Sequence, residues 1–219
     1  IWSISQDLEG GLWIGTSNGL DHFDPATGKV QRYPYREGKT DGPLHPEVRA
    51  VHVDSEDAIW IGTRAGLSRL EPESRAFRHF LHDDENPRSL GNDLINVISE
   101  DRSDRLWIGT MYGGISLWDE ERGDFTVFRH ELGGTHSLAY DDVRAIYEDR
   151  SGLIWIGTRG EGINKLDPET PFGGFRQRTS SRPGLSHDRV RSVLVDEDGS
   201  LWVGTQAGLD WIDNTTGEI

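Results

Sequence analysis

Apolar and polar residues alternate over short segments along this chain, and turn-forming residues separate the segments. Residues 48–53 (VRAVHV), 125–128 (FTVF) and 143–147 (VRAIY) show this alternation with β-branched and aromatic side chains. A period of two residues is typical of half-buried strands, whereas the 3.6-residue period of an amphipathic helix is absent. The pattern therefore predicts an all-β protein of many short strands.

One motif, Trp-Ile-Gly-Thr, organises this strand pattern and occurs five times. The motif begins at Trp13, Trp60, Trp107 and Trp155, and it recurs with valine in place of isoleucine at Trp202. The intervals between these tryptophans are 47, 47, 48 and 47 residues. Equal spacing over the whole chain indicates one structural module copied about five times.

Each module is interpreted as four strands. The first strand ends at an aspartate six residues before the tryptophan, and turn residues such as those at 149–152 (DRSG) then predict a hairpin. The second strand contains the motif, whose tryptophan we expect to be buried between sheets and whose glycine permits close approach of a neighbouring sheet. A Gly-Leu or Gly-Ile pair opens the third strand, and a fourth strand precedes a polar connection.

Four short strands in each repeat, copied head to tail, are typical of β-propeller blades. We predict a single β-propeller region over residues 1–219, with about five four-stranded blades at approximately 1–40, 41–88, 89–136, 137–183 and 184–219, the last incomplete. A solenoid is the competing architecture, but its common all-β forms use shorter repeats. Both ends of the chain fall inside a repeat, so we expect a fragment of a larger propeller.

The charge of the chain limits the classes of partner. Lysine and arginine number 23 against 38 aspartates and glutamates, which gives a formal net charge of −15. Because nucleic acids and anionic membranes attract basic surfaces, we expect no nucleic-acid partner and no direct membrane contact in this region. The chain has no cysteine, which excludes disulfides and thiol chemistry and is compatible with either redox compartment.

Residues 146–158 (IYEDRSGLIWIGT) and 19–28 (GLDHFDPATG) carry a pattern that resembles the two-component regulator propeller repeat, and the resemblance extends over essentially the whole chain. The connection at 86–95, with echoes at 137–143 and 185–190, is similar to the blade-to-blade join of that family. The departures are small. Ala58 and Arg105 stand at glycine-type turn positions, Val203 replaces isoleucine, and the fourth strand near Phe175 is irregular.

This resemblance implies a bacterial inner-membrane sensor whose propeller lies in the periplasm, with a histidine kinase or diguanylate cyclase inside the cell. It also implies a seven-bladed ring as the parent architecture. We therefore expect a non-catalytic module that binds a small molecule or a glycan and passes the signal to an output domain beyond this region. Dimerisation would occur through the parent protein.

The residues that change from copy to copy are the candidates for ligand binding. In a four-stranded blade, the loop entering the first strand and the loop between the second and third strands open on the same face, around the channel mouth. The candidates near these positions are Arg49, Arg64, Asn96, Tyr112, Arg144, Arg159, Arg191 and Gln206. Guanidinium groups pair with carboxylate, sulfate or phosphate, so the arginines predict an anionic or polyhydroxyl ligand such as an acidic saccharide.

A competing interpretation assigns these arginines a structural role. Arg49, Arg144 and Arg191 each lie close in sequence to an acidic residue, and the corresponding partners between blades would be Glu47, Asp142 and Asp188. Under this interpretation the charges neutralise one another and no ligand is needed.

Other chemistry has little support in the sequence. Residues 196–199 (DEDG) show the carboxylate alternation that opens a calcium loop, but the rest of an EF-hand loop is missing and a hairpin turn explains the segment better. The eight histidines form no repeated metal-ligand spacing, so we expect no metal and no cofactor. A propeller lyase and a protein-interaction scaffold stay open as alternatives. A lyase would need acid, base or metal-binding residues that break the repeat at the channel mouth, and none stands out.

Overall fold

The computed structural model describes residues 1–131, 137–166, 173–175 (backbone only), 184–196, 198–213, 216 and 218–219. All the regular secondary structure of these residues consists of β-strands. The strands form five antiparallel sheets, in each of which neighbouring strands are also neighbours in sequence. No membrane-spanning helix occurs in the described ranges. The all-β prediction is therefore confirmed.

Each copy of the repeated motif forms the second strand of one sheet, as predicted. Sheet 1 consists of β1 (Ser3–Gln6), β2 (Leu12–Thr16), β3 (Gly19–Asp24) and β4 (Lys29–Tyr33), and sheet 2 of β5 (Val48–Val53), β6 (Ile59–Thr63), β7 (Leu67–Leu70) and β8 (Phe77–Phe80). Sheet 3 consists of β9 (Ile95–Glu100), β10 (Leu106–Thr110), β11 (Ile115–Asp119) and β12 (Asp124–Phe128), and sheet 4 of β13 (Val143–Glu148), β14 (Ile154–Thr158), β15 (Ile163–Leu166) and β16 (Gly173–Phe175). Sheet 5 contains β17 (Val190–Val195), β18 (Leu201–Thr205) and β19 (Leu209–Ile212) in the described residues.

The first strands of successive sheets lie next to one another. β1 contacts β5, β5 contacts β9, β9 contacts β13, and β13 contacts β17. The sheets are therefore arranged like propeller blades, with their first strands innermost and their later strands further out. The number of blades in the intact propeller and the blade boundaries stay predictions.

An aspartate carboxylate joins the hairpin to the motif tryptophan in four of the five sheets. In sheet 2, Asp54 Oδ1 accepts hydrogen bonds from the backbone amides of Glu56 (3.1 Å) and Ala58 (2.7 Å), and Asp54 Oδ2 accepts one from Trp60 Nε1 (2.7 Å). The indole–carboxylate bond recurs at Trp107–Asp101 (2.8 Å), Trp155–Asp149 (2.7 Å) and Trp202–Asp196 (3.1 Å). One carboxylate thus fixes both the turn and the orientation of the ring.

The same hairpin contains a residue with positive φ in every sheet. Glycine occupies this position in sheets 1, 4 and 5, as Gly10 (φ 90°), Gly152 (φ 86°) and Gly199 (φ 89°). Asp57 (φ 64°) and Asp104 (φ 58°) occupy it in sheets 2 and 3. The expectation that Ala58 and Arg105 replace the glycines is therefore wrong by one residue. Aspartate takes the position because its short polar side chain tolerates the left-handed region better than most residues do.

The sheets pack face to face through the tryptophans and branched aliphatic residues, as predicted. Trp155 and Ile163 of sheet 4, for example, form one buried cluster with Val190, Leu201 and Val203 of sheet 5. Corresponding clusters join sheets 1 and 2, sheets 2 and 3, and sheets 3 and 4. The core is therefore a series of four similar layers between neighbouring sheets.

The motif glycine provides the space for this packing. A Cβ atom added at Gly109 would lie 2.6 Å from Cγ1 of Val143, which begins the first strand of the next sheet, and one added at Gly157 would lie 2.6 Å from Cγ1 of Val190. Real Cβ atoms do not approach carbon so closely, so any larger residue would push the sheets apart. The close approach predicted for this glycine is confirmed.

Sheet 5 exposes the face that its counterparts bury. Leu209 is 64% exposed, whereas the equivalent residues of sheets 1 to 4, Leu20, Leu67, Ile115 and Ile163, are fully buried. Trp202 is 37% exposed, whereas Trp155 is 6% exposed. Leu194 and Trp211 lie beside Trp202 in the sheet register and are also exposed. The difference arises because each motif tryptophan faces the following sheet.

We predict that Trp155→Ala lowers the free energy of unfolding by about 3–5 kcal/mol, because the ring is buried against sheet 5 and its removal leaves a large cavity. Trp202→Ala removes the same motif residue from an exposed position and serves as the matched control, with a clearly smaller loss. Urea unfolding followed by circular dichroism measures both. An unchanged midpoint for Trp155→Ala would contradict the burial of this ring.

We also predict a pH-dependent contribution from Asp149. Burial raises the pKa of this carboxyl, but hydrogen bonds from Ser151, from the Trp155 indole and from backbone amides outweigh burial and lower the pKa below its ordinary value. The resulting stabilisation is complete above the unfolded pKa of about 3.9 and is lost as the pH falls through the lower folded pKa. Asp149→Asn should therefore cost about 1–3 kcal/mol at pH 7, since the amide cannot satisfy all these donors.

The measurement is the difference in unfolding free energy between the parent and Asp149→Asn over a series of pH values. This difference should shrink as the pH falls below about 4, because the parent then loses its carboxylate too. A difference that stays constant down to pH 2 would show that the charge of Asp149 does not stabilise the hairpin.

Candidate ligand-binding site

The first strands of sheets 2 to 5 each contain a β-bulge at their second residue. In sheet 2, Val48 pairs with Thr63 and Ala50 with Gly62, so that Arg49 is the extra residue. The same register shift makes Asn96, Arg144 and Arg191 the extra residues of sheets 3, 4 and 5. A bulge interrupts the regular alternation of a strand and redirects a side chain. Four of the eight predicted site residues are therefore presented by one repeated backbone irregularity.

These four side chains converge on one cavity, which we call the arginine pocket. It has a volume of about 620 Å³ and is lined by Trp2, Arg49, Asn96, Met111, Arg144, Arg159, Arg189, Val190, Arg191 and Gln206. Five of these residues are arginines and none is acidic. Because sheets 1 to 5 all contribute, the pocket lies among the first strands of the sheets.

Six of the eight predicted site residues line the arginine pocket, and Arg64 and Tyr112 do not. Arg64 is half-exposed, and its Nη1 lies 3.5 Å from Glu47 Oε2. Tyr112 lies in a second cavity beside the pocket, while Met111, the residue directly after Thr110, takes the place in the pocket.

Two of the three structural ion pairs considered above are present. Arg49 Nη2 lies 3.3 Å from Glu47 Oε2, and Arg144 Nε lies 2.7 Å from Asp142 Oδ1. No ion pair of Arg191 with a described residue is found. The competing interpretation therefore accounts for the arginines of sheets 2 and 4 but not for that of sheet 5.

Asp142 has more side-chain partners than Glu47. It is fully buried, accepts a hydrogen bond from Asn96 Nδ2 (3.2 Å), and lies 3.7 Å from Nη1 of Arg159 in addition to its pair with Arg144. Arg189 donates from Nη1 to Gln206 Oε1 (3.1 Å), which leaves its charge without a carboxylate among the described residues. The arginine pocket thus holds more guanidinium groups than neighbouring carboxylates.

The second cavity, which we call the tyrosine cavity, adjoins the arginine pocket. It has a volume of about 320 Å³ and is lined by Tyr112, Tyr140, Asp142, Arg159, Gly160, Glu161 and Arg189. Arg159 and Arg189 line both cavities. The two cavities therefore form one site with a strongly basic part and a mixed aromatic and acidic part.

Sequence reasoning missed Trp2, Met111, Arg189 and Val190 in the arginine pocket. Alignment of the repeats could have found Trp2. In the structure, the Trp2 amide donates to the Gly15 carbonyl, and the next residue, Ser3, pairs with Gly15, as Ala50 pairs with Gly62 in sheet 2. Trp2 therefore holds in sheet 1 the position that Arg49 holds in sheet 2, and the Arg49 guanidinium lies 5.7 Å from the centre of the Trp2 ring.

A third cavity, of about 770 Å³ between sheets 2 and 3, has seven acidic residues among the sixteen that line it: Asp54, Glu56, Glu100, Asp104, Asp119, Glu120 and Glu121. Several of these carboxylates have structural partners. Glu120 accepts hydrogen bonds from Arg69 (2.9 Å) and Trp118 (2.6 Å), which lowers its pKa although burial raises it. Arg69 also stacks over the Trp60 ring at 5.2 Å. The carboxylates of Asp54 and Glu120 in this cavity therefore serve the packing between sheets.

The described residues contain no group of three or more potential ligands that could hold a metal ion. The hairpin turn preferred over a calcium loop for residues 196–199 is present in the residues that the structure describes. Asp196 Oδ1 accepts from the amide of Asp198 (3.1 Å), and the Gly199 amide donates to the Asp196 carbonyl (3.1 Å). Glu197 lies outside the described residues.

Comparison with solved structures places the whole chain in a known architecture. Two extracellular domains of hybrid two component systems from B. thetaiotaomicron are similar to it at 26% and 27% identity, with TM-scores of 0.80 and 0.75 and 99% of this chain covered. The chain spans only 29% and 30% of those two proteins. Virginiamycin B lyase from Staphylococcus aureus is similar at 16% identity, with a TM-score of 0.72 over 99% of this chain and 67% of the lyase, which shows the shared fold alone. No curated protein matches the sequence.

A family model described as "Two component regulator propeller" matches the sequence three times, at residues 89–112, 137–160 and 184–207. Each match contains the connection between sheets, the bulged first strand, the hairpin and the motif strand. The resemblance noted in the sequence is confirmed by these matches. Residues 89–112, 137–160 and 184–207 are therefore two component regulator propeller repeats, and the chain is a β-propeller built with them.

Proposed function

We propose that this chain is the ligand-receiving, non-catalytic propeller of an extracytoplasmic sensor, and that it passes a signal to an output domain elsewhere in the same protein. The observation that carries the proposal is the arginine pocket, where five guanidinium groups and no carboxylate line one cavity in a chain of net charge −15. The family match and the similarity to extracellular domains of two component systems support the sensor role and the location. The output domain, a histidine kinase or a diguanylate cyclase, and dimerisation of the parent protein stay predictions.

The chemistry of the lining favours binding over catalysis. Arginine stays protonated at every physiological pH, so it holds an anion but does not act as a general base. The described residues of the pocket otherwise supply indole, amide, thioether and aliphatic groups. A lyase would require a group that removes a proton from its substrate, and the lining of the arginine pocket offers no histidine or carboxylate for that step, while Asp142 of the adjoining cavity is fully buried and paired with Arg144 and Arg159.

The size and polarity of the arginine pocket fit a small anion. Its volume of about 620 Å³ lies in the range of ordinary small-molecule sites, which is roughly 300–1,000 Å³. Guanidinium groups would bind a carboxylate, sulfate or phosphate, and the amides of Asn96 and Gln206 can bond to hydroxyl groups. An acidic saccharide satisfies both requirements and is the ligand class we propose first.

We predict that the protein binds glucuronate or glucose 6-sulfate, and that Arg191→Ala weakens this binding by about 10- to 100-fold. A hydrogen bond to a charged group contributes roughly 1.5–3 kcal/mol, which corresponds to that range. Because no described residue pairs with Arg191, its removal should leave the fold intact. Arg144→Ala should also weaken binding, and it should lower the melting temperature because buried Asp142 loses a partner.

Isothermal titration calorimetry measures the affinities, and a thermal melt of each variant checks its fold. Arg88→Ala is the matched control, because Arg88 is exposed, pairs with Asp124 and lies outside the arginine pocket. Equal binding by the parent and Arg191→Ala, or no binding of any anion by the parent, would refute the proposal.

A further inference from the structure

The tyrosine cavity contains two aromatic residues that interrupt the repeat. Tyr112 is the second residue after the motif threonine of sheet 3, where the other sheets have Asn18, Ala65, Gly160 and Ala207. Tyr140 precedes the first strand of sheet 4 by three residues, where the other sheets have His45, Asn92 and His187. Each of these two loop positions therefore has a tyrosine in one repeat, and both tyrosines line the same cavity.

Both rings are accessible at this site. Tyr112 is 56% exposed and Tyr140 is 39% exposed, although large aromatic residues elsewhere in sheets 3 and 4 are largely buried. A Cβ atom added at Gly160 would lie 3.8 Å from Cδ1 of Tyr140, an ordinary van der Waals distance, so Gly160 lies directly beside that ring. The cavity thus keeps aromatic surface open to solvent next to the basic pocket.

The backbone at this cavity adopts an uncommon conformation. Tyr112 and Glu161 both have a φ of 66°, although neither is glycine. Residues other than glycine seldom adopt this left-handed conformation, and such strained residues cluster at ligand sites. Because the two residues belong to the corresponding loops of sheets 3 and 4, the strain lies on both sides of one cavity.

The two cavities differ in the charges of the residues that line them. Arg159 and Arg189 stand between the two cavities, and the arginine pocket has no acidic lining. The tyrosine cavity is lined by Asp142 and Glu161 as well as by Arg159 and Arg189, so the formal charges of its lining cancel and it does not attract a second anionic group. An anion is therefore favoured on the arginine side, and an uncharged group is favoured on the tyrosine side.

We propose that the tyrosine cavity is a second subsite, which binds an uncharged ring joined to the anionic group held in the arginine pocket. This inference rests on the proposed function, since it extends the same ligand. The flat face of the ring would pack on Tyr112 and Tyr140, and Arg159 and Arg189 would contact the link between ring and anion. A sugar ring and an aryl ring share this chemistry.

The test compares three probes in calorimetric titrations: inorganic sulfate, phenyl sulfate and glucose 6-sulfate. We expect at least one ring-bearing probe to bind about 2- to 10-fold more tightly than sulfate, which is the range of a single aromatic contact. A gain with phenyl sulfate alone identifies an aryl ring, and a gain with glucose 6-sulfate alone identifies a sugar ring.

Two variants locate the gain. Tyr112→Asn removes the ring with a residue that tolerates positive φ, and Tyr140→Ala removes the second ring. Each should reduce the binding of the ring-bearing probe to the level of sulfate and leave sulfate binding unchanged. Tyr112→Phe should retain the gain, as should Tyr35→Ala, which removes an exposed tyrosine outside both cavities.

The outcomes separate this inference from the proposed function. If the parent binds sulfate but gains nothing from a ring, or if the gain survives both Tyr112→Asn and Tyr140→Ala, the subsite is refuted and the arginine pocket stands. If the parent binds none of the three probes and no glucuronate either, the proposed function itself is refuted.

Discussion

The burial of the motif tryptophan against the following sheet is the interaction on which the packing of the sheets depends, and in four sheets its indole donates a hydrogen bond to the aspartate six residues earlier. A buried indole N–H without an acceptor costs roughly 1–3 kcal/mol, and the aspartate removes this cost while its other oxygen holds the hairpin amides. Sheet 1 shows an alternative. There, His22 Nε2 lies 2.8 Å from Asp7 Oδ2, the His22 ring stacks on Trp13 at 4.3 Å, and Trp13 Nε1 has no partner among the described residues. Trp13 is nevertheless buried, so a packed tryptophan does not require the bond, and Trp202 shows that the bond forms without burial.

Because the tryptophan is held in place, the glycine and threonine of the motif can make contacts of their own. The glycine two residues later admits the first strand of the next sheet, and the threonine accepts a loop amide and donates to a carbonyl, as Thr63 Oγ1 does to Gly66 (2.9 Å). Because protein interiors are closely packed, these contacts leave each first strand little freedom to shift. The bulged residue of that strand therefore lies at the same place in every sheet, and its identity can change without effect on the frame. Repeated geometry with variable side chains is what allows four sheets to contribute different groups to one pocket.

The sequence was sufficient for the parts of the fold that the repeat specifies, and less so for the loops. Strand type, strand order and the burial of the tryptophans follow from period and spacing, and the bulge positions were identified as sites because they vary between copies. The loop after the motif threonine has two residues in sheet 2 and three in sheet 3, so that counting back from the glycine selects Tyr112 and counting forward from the threonine selects Met111. The position of the turn residue was misjudged for a similar reason, since Asp57 can take the place of glycine. Glu47 and Asp142 precede their arginines by two residues and Asp188 precedes Arg191 by three, and distances were needed to show that the first two arginines pair with a carboxylate and that Arg191 pairs with none among the described residues.

That division makes the arginine pocket asymmetric, which matters more than the number of arginines. Arg49 and Arg144 are held by carboxylates, so part of their charge is neutralised, whereas Arg189 and Arg191 of sheet 5 have no carboxylate partner among the described residues. The net charge of −15 repels a distant anion, but this repulsion acts over the screening length of about 8–10 Å in physiological salt, while contacts inside the pocket are screened far less. Under the proposed function, an anion that enters would therefore be drawn toward sheet 5 and away from the acidic surroundings. Because the tyrosine cavity opens beside Arg159 and Arg189, the rest of such a ligand would extend toward sheets 3 and 4, and the unpaired charge of one sheet would thus determine the orientation of the whole molecule.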